Sequence, residues 1–242
     1  WTDQQGIDYS LIDDFDLGAT LGVVYTITNS AWVLRSADGG QTWTNLGQAA
    51  YGPMFSVVND TTVWSANGST IGRSTTSGAS YSNESAALGF GAESITTVSA
   101  APGTTVTWVG GDAGTIKRQT TVAGAWGAQA ASLTEVVDIE AIDASNAWAL
   151  GRQGASMSEV RRWNGTTWTV QTDPPLIGTP EDIAATNGSC AWVIAPGEIV
   201  RTADGGSTWQ SGSVPTDNGG GTTFISVTAS GCGAGATVWL TG

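Results

Sequence analysis

Three observations predict an all-β chain, a propeller of six blades with four antiparallel strands each. The first is a repeated phrase. Ser36-Ala37-Asp38-Gly39-Gly40-Gln41-Thr42-Trp43 returns as Thr202-Ala203-Asp204-Gly205-Gly206-Ser207-Thr208-Trp209, and in worn form as Ser74-Thr75-Thr76-Ser77-Gly78-Ala79-Ser80-Tyr81. With two eroded copies ending at Trp126 and Trp168, the closing aromatics recur every 38 to 45 residues. Such a period marks a stack or ring of identical supersecondary units. The second observation is an upstream aromatic (Tyr25, Trp64, Trp108, Trp148, Trp192) lying 17 to 20 residues before each closing one, with Trp239 opening a sixth series. The third is an arginine eight residues before the closing aromatic, at Arg35, Arg73, Arg118 and Arg201, with Arg161 or Arg162 standing near that slot in the fourth unit.

Each unit reads as four short strands, which in the fifth are residues 182–186, 189–194, 198–202 and 207–211. Alternating apolar positions and Gly, Asn, Asp and Ser punctuation are the strand and hairpin signals. No stretch carries a helical period with caps. Four-stranded units repeated radially are propeller blades. A β-solenoid would repeat faster, and a sandwich would not hold so regular a period. The blades fall at about 6–48, 52–86, 92–131, 135–173, 180–213 and 222–242, the last joined by 1–5. Their first strands are anchored by Tyr9, Phe55, Ile95, Ile139, Ile183 and Ile225.

Ring closure is expected from the N-terminus. Trp1-Thr2-Asp3-Gln4-Gln5 resembles the outer strands beginning at Trp43 and Trp168, and Trp1 lies 42 residues before Trp43. Pairing of this segment into the blade of Trp239 would remove two sheet edges. One strand is then wanting, so the sixth blade either has three strands or belongs to a longer polypeptide.

Composition narrows the class of partner. At 242 residues the chain can bury a sizeable core. A net charge of −13 excludes nucleic acid and anionic membrane as partners, and no run of 18 apolar residues spans a bilayer. Cys190 and Cys232 lie near the first hairpins of neighbouring blades, which allows a disulfide or two buried thiols. Asn59, Asn67, Asn83, Asn164 and Asn187 begin Asn-x-Ser/Thr triplets, glycan acceptors in a secretory route. An extracellular, cell-surface or virion-surface location follows.

The repeated phrase is read as a folding device. Asp38 and Asp204 accept backbone N–H bonds within a turn, Gly40 and Gly206 permit positive φ, and Trp43 and Trp209 cap the blade edge. Ser36 and Thr202 complete the motif. The arginines brace the hairpin or stack on a neighbouring Trp. Eleven of the twelve Trp fall at core slots; Trp163 lies off the register in Arg161-Arg162-Trp163-Asn164-Gly165 and is the candidate exposed contact residue.

Carboxylates supply the candidate ligand site. Asp8, Asp138 and Asp182 precede Tyr9, Ile139 and Ile183; Glu93 and Glu181 stand one residue earlier, and Glu140 lies two past Asp138. An acidic ring at the mouth of a central channel would result, serving as a solvated rim, a cation or ligand site, or an acid/base pair. Asp13-Asp14-Phe15-Asp16, expected in the first blade's leading loop, is a turn or a set of oxygen ligands for Ca²⁺. With no histidine, Ser-His-Asp chemistry and imidazole metal sites are excluded. No catalytic residue, metal site or cofactor is assigned, Ca²⁺ being the one candidate.

These features resemble the Asp-box, or BNR, propeller family over the whole chain. The pairing of Trp-Val-x-x-x-Gly-x-Ile-x-Arg with the box, at Trp108 to Arg118 and Trp192 to Arg201, is most similar to the photosystem-assembly-factor style of repeat found in secreted bacterial proteins. Sialidases, xyloglucanases and sorting-receptor ectodomains share the box, so the resemblance implies a fold and no single activity. The sialidase entry motif Phe/Tyr-Arg-Ile-Pro is absent. The expectation is a non-catalytic extracellular platform for a protein or a surface glycan. The alternatives are a structural surface module of a larger assembly (virion, appendage or cell envelope) and a glycoside hydrolase using the channel-mouth carboxylates.

Overall fold

The repeat folds as a series of antiparallel meanders. The structure, a computed structural model, describes residues 12–152, 158–213 and 224–241. The first sheet holds β1 (Ile12–Leu17), β2 (Val24–Thr28), β3 (Trp32–Ser36) and β4 (Thr44–Gln48). The second holds β5 (Met54–Val57), β6 (Val63–Asn67), β7 (Thr70–Ser74) and β8 (Ser82–Asn83), followed by the one-turn helix α1 (Ser85–Leu88). The third holds β9 (Ile95–Ala100), β10 (Thr107–Gly111), β11 (Ile116–Gln119) and β12 (Gly127–Gln129). In the fourth are β13 (Glu135–Ala141), β14 (Ala147–Arg152), β15 (Ser158–Trp163) and β16 (Trp168–Val170). The fifth comprises β17 (Asp182–Ala185), β18 (Ala191–Ala195), β19 (Glu198–Thr202) and β20 (Gln210–Ser211). Among the described residues the sixth has two strands, β21 (Ser226–Ser230) and β22 (Thr237–Thr241). First strands of successive sheets lie against each other, β1 on β5, β5 on β9, β9 on β13, β13 on β17 and β17 on β21.

Second strands are buried on both faces because a sheet lies on either side. Tyr25, Trp64, Trp108, Trp148 and Trp192 are at most 2 % exposed. Their partners come from the following sheet. Trp64 meets Trp126 edge-on at 5.4 Å between centroids, Trp108 meets Trp168 at 5.0 Å and Trp148 meets Trp209 at 6.4 Å. Opposite each of the five aromatics the third strand carries an arginine: Arg35, Arg73, Arg118, Arg162 and Arg201. The guanidinium of Arg118 lies 5.0 Å from the Trp108 ring, and that of Arg73 lies 6.0 Å from Trp64, within cation–π range.

The register moves two expectations. Phe15, Phe55, Val98, Ile139, Ile183 and Val227 each lie opposite the residue after an upstream aromatic. The first anchor is therefore Phe15; Tyr9 lies outside the described residues. Asp13 to Asp16 form strand, not a leading loop, because Asp14, Phe15 and Asp16 pair with Ile27, Thr26 and Tyr25. Ile95 and Ile225 sit before the anchor, Ile225 with 63 % exposure.

The box turn has a hydroxyl at its centre. Ser36 Oγ accepts from Gly40 N at 2.8 Å and donates to Asp38 Oδ1 at 2.8 Å, while Thr42 N and Oγ1 donate to the two Asp38 oxygens at 2.9 and 2.6 Å. Thr202, Gly206, Asp204 and Thr208 repeat every bond. In the worn copy Thr76 replaces the aspartate, and its hydroxyl accepts from Ser80 N at 3.0 Å. Gly40, Gly206 and Gly78 have φ of 88°, 86° and 95°, a region that resists other residues. Hydrogen bonding holds Asp38 and Asp204 down to about 2, Thr42 and Thr208 contributing most.

A Cys190–Cys232 disulfide ties the fifth sheet to the sixth, with Cα atoms 5.8 Å apart. Asn59, Asn164 and Asn187, each opening a glycosylation triplet, accept backbone N–H bonds inside tight turns.

Two stability predictions follow from these bonds. Thr202→Val strips the acceptor from Gly206 N in a buried site and should lower the urea unfolding free energy by about 1–3 kcal/mol, with Thr202→Ser nearer the parent. Replacing Cys190 and Cys232 by Ser opens a 42-residue loop and should cost about 2–4 kcal/mol in the same assay.

Candidate functional site

The first strands carry a line of polar side chains that bond from sheet to sheet. The residue opposite each upstream aromatic is Asp16, Ser56, Ser99, Glu140 and Ala184 in turn. Val57 N donates to Asp16 Oδ2 at 2.6 Å, Ala100 N to Ser56 Oγ at 2.9 Å and Ala141 N to Ser99 Oγ at 3.0 Å. Ala184 has no polar group, so the fifth sheet uses Asp182, two residues earlier, whose Oδ2 accepts from Val227 N at 2.7 Å. Asp182 also hydrogen-bonds Asp138, and Asp138 Oδ1 accepts from Thr97 Oγ1 at 2.7 Å. Thr97, Asp138 and Asp182 thus link the third, fourth and fifth sheets, and Val227 adds the sixth.

Burial, then the neighbouring Asp138, pushes the Asp182 carboxyl up to about 8. Burial raises Asp16 to about 6 despite the N–H bonds from Val57 and Leu17. The Asp138–Asp182 contact is a carboxyl–carboxylate pair sharing one proton, with the protonated partner donating.

The remaining candidates separate. Glu93 is not on this line: its carboxylate accepts from Ala113 N at 3.0 Å and Thr115 N at 3.1 Å, capping the turn between β10 and β11. Glu140 lies in the first-strand line opposite Trp148, two residues beyond Asp138. Glu181 precedes Asp182, and its N–H donates to Ile194 O. Asp8 lies outside the described residues; the slot of Asp138 and Asp182 falls on Asp14 in the first sheet. Among the described residues no group of three or more acidic, Cys or His side chains is placed to hold a metal ion.

Trp163 is corrected from exposed contact to core. It is 4 % exposed and lies 5.1 Å from Trp108 and 5.8 Å from Trp168. The turn begins one residue later, at Asn164. Opposite Ala147, Trp163 fills the slot that Ser36 and Thr202 hold in the boxed sheets, so packing replaces the lost hydroxyl.

Exposed apolar residues lie elsewhere. Trp239 is 52 % exposed, Ile225 63 %, Phe15 53 % and Leu17 67 %, all on β1 or around the sixth sheet. Sequence reasoning placed Trp239 in the core with its repeat equivalents. The available signal was that no third-strand arginine follows it.

No protein-family model matches the chain, and no curated protein matches it. Solved structures do. U3-55K superposes with a TM-score of 0.69 at 12% identity, over 96% of this chain and 78% of that one. A GH74 enzyme of Niastella koreensis gives 0.63 at 14% identity, over 84% of this chain. The GH74 xyloglucanase from Xanthomonas campestris gives 0.60 at 15% identity, over 83%. The chain spans 38% of the length of each GH74 enzyme. This chain shares a β-propeller-like fold with them. At such identities the likeness carries no activity across.

Folding raises the Asp182 and Asp16 pKa values, so the native state holds their protons more tightly than the unfolded chain. Their stabilisation is complete below 3.8 and is lost as pH rises, through about 6 for Asp16 and about 8 for Asp182. Asp38 and Asp204 act oppositely, losing stabilisation as pH falls from 3.8 through about 2. The melting temperature should peak near about pH 4 and decline toward pH 8. Asp182→Asn, which keeps a donor for Asp138 and an acceptor for Val227, should flatten the upper part of that decline.

Proposed function

We propose that the chain is a six-bladed Asp-box propeller that acts without catalysis, as an extracellular platform for a protein partner. The observation that carries this reading is the apolar exposure of Phe15, Leu17, Ile225 and Trp239. Phe55, Val98, Ile139, Ile183 and Val227, the counterparts of Phe15, are all buried, as are the five counterparts of Trp239. An exposed apolar face of this kind is the common mark of a protein contact. The carboxylates give further support, since Asp16 and Asp182 are engaged by the backbone of the next sheet.

A structural module of a larger assembly is the second reading, favoured by the two-stranded sixth sheet among the described residues. The hydrolase reading fits less well. Retaining glycosidases hold their carboxyl groups about 5–5.5 Å apart and inverting ones about 6.5–9.5 Å, whereas Asp138 and Asp182 hydrogen-bond each other directly.

Incubation with xyloglucan, other β-glucans and sialosides should release no reducing sugar. Photo-crosslinkers at Leu17 and Ile225, tested in the native setting, should trap one common protein, while one at the exposed Val170 of the fourth sheet should not. Sugar release that disappears in Asp182→Asn would overturn the non-catalytic reading.

A further inference from the structure

Five sheets repeat one side-chain arrangement that the sixth leaves unfinished. In each, the third strand carries Val or Ile, any residue, then Arg: Val33-Leu34-Arg35, Ile71-Gly72-Arg73, Ile116-Lys117-Arg118, Val160-Arg161-Arg162 and Ile199-Val200-Arg201. Each arginine lies opposite the upstream aromatic of the second strand. Each aliphatic residue is buried, at 8 % exposure or less. Trp239 holds the same place on β22: it pairs with Thr228 as Trp192 pairs with Ala184. Yet it is 52 % exposed where its counterparts are at most 2 %, and among the described residues β22 has no strand on its outer edge.

The chain's own basic residues do not supply the missing arginine. It has eight Lys and Arg in all. Five stand opposite aromatics, and the other three are engaged: Lys117 with the Gly89 carbonyl, Arg152 with Glu135 and Arg161 with the Ala131 carbonyl. The residues outside the described segments contain neither Lys nor Arg. A chain of net charge −13 draws basic segments toward it.

We infer that the outer edge of β22 and the indole of Trp239 form an acceptor for an extended strand of a basic partner polypeptide, carrying Val or Ile two residues before an arginine. Its main chain extends the sixth sheet, and its arginine lies over Trp239 as Arg118 lies over Trp108. The aliphatic residue falls opposite Thr241, as Ile199 falls opposite Ile194. Strand addition takes affinity from main-chain bonds and selectivity from alternate side chains. This deepens the protein-platform reading and rests on it.

The test uses the full chain and an end-blocked peptide copying residues 114–120, Gly-Thr-Ile-Lys-Arg-Gln-Thr. Calorimetric titration should show saturable binding, and amide exchange should slow at 237–241. Replacing the peptide's arginine by Ala should weaken binding about ten-fold, with the protein itself unaltered. Trp239→Ala, checked for folding by circular dichroism, should do the same. Absence of protection at 237–241, or equal binding by the Ala peptide, overturns the acceptor. So does a dimer that masks β22 without peptide, since a second copy would then be the occupant. A partner trapped at Leu17 and Ile225 while the peptide fails would leave the platform reading standing and remove only the acceptor.

Discussion

Each sheet buries the aromatic of its second strand only by borrowing an aromatic from the next sheet. Trp64, Trp108 and Trp148 are closed over by Trp126, Trp168 and Trp209. The residue that completes one core is thus encoded about 60 positions downstream, on a strand formed with other partners. Edge-on aromatic pairs contribute roughly 0.5–1.5 kcal/mol each beyond the area they bury. Their larger consequence is geometric. A four-stranded meander has two faces, and both carry apolar side chains, so one sheet alone would leave one of them wet. Stability is therefore a property of neighbouring pairs, as in other repeat architectures. The box turn serves this constraint by fixing where the closing aromatic emerges: Ser36 and Thr202 hold the turn from inside while Trp209 Nε1 reaches the Thr172 carbonyl on the preceding unit.

The first-strand bonds do the same work at the other side of each sheet, with a looser chemical requirement. What every junction needs is an acceptor for one backbone N–H. Serine supplies it at Ser56 and Ser99, aspartate at Asp16 and Asp182. Serine brings no charge. Aspartate brings a proton equilibrium, because the site that satisfies the N–H also desolvates the carboxylate. Sensitivity to pH is thus concentrated at the junctions flanking the fourth, fifth and sixth sheets and at the first. The middle of the series, held by Ser56 and Ser99, is insulated from it. Asp138 and Asp182 titrate as a unit, since one proton shared between them removes a like-charge contact that neither could sustain alone.

Much of the fold was legible because period and strand identity are carried by residues with no alternative role. Trp43, Trp126, Trp168 and Trp209 mark the same point in each unit, and Arg35, Arg73, Arg118 and Arg201 mark another. Legibility failed where one slot can be filled by different chemistry. Trp163 looked anomalous because a bulky indole stands where other units hold a small hydroxyl, yet both fill the same space. The anchor was misplaced to Tyr9 because the acidic run at Asp13 to Asp16 reads as a loop; pairing with β2 overrides that local preference, and Asp16 finds its partner 41 residues away at Val57. Asp138 and Asp182 were recognised as equivalent, but their direct contact was not. Contact across a sheet junction depends on twist and separation, which no spacing reports.

The sixth sheet shows what the repeat does when a term is withheld. Val227, Ala229, Val238 and Leu240 still pack on Trp192, Ile194 and Ile199 of the fifth sheet. The Cys190–Cys232 disulfide and the Asp182–Val227 bond hold that junction from two further directions. One face of the hairpin is therefore anchored as firmly as any in the chain. Its other face, with Trp239 and Ile225, lacks the arginine and aliphatic residue that cover the same positions five times over. A hairpin fixed on one side and exposed on the other is pre-organised: its strand geometry is already set, so the ordering cost of binding falls mainly on whatever meets it. Exposed apolar edges are normally blunted by charge or proline, and β22, Thr-Val-Trp-Leu-Thr, has neither. An edge that keeps the repeat's aromatic while omitting every blunting device is better explained as a contact surface than as a worn repeat, since erosion elsewhere in this chain replaced lost groups with packing, as Trp163 did.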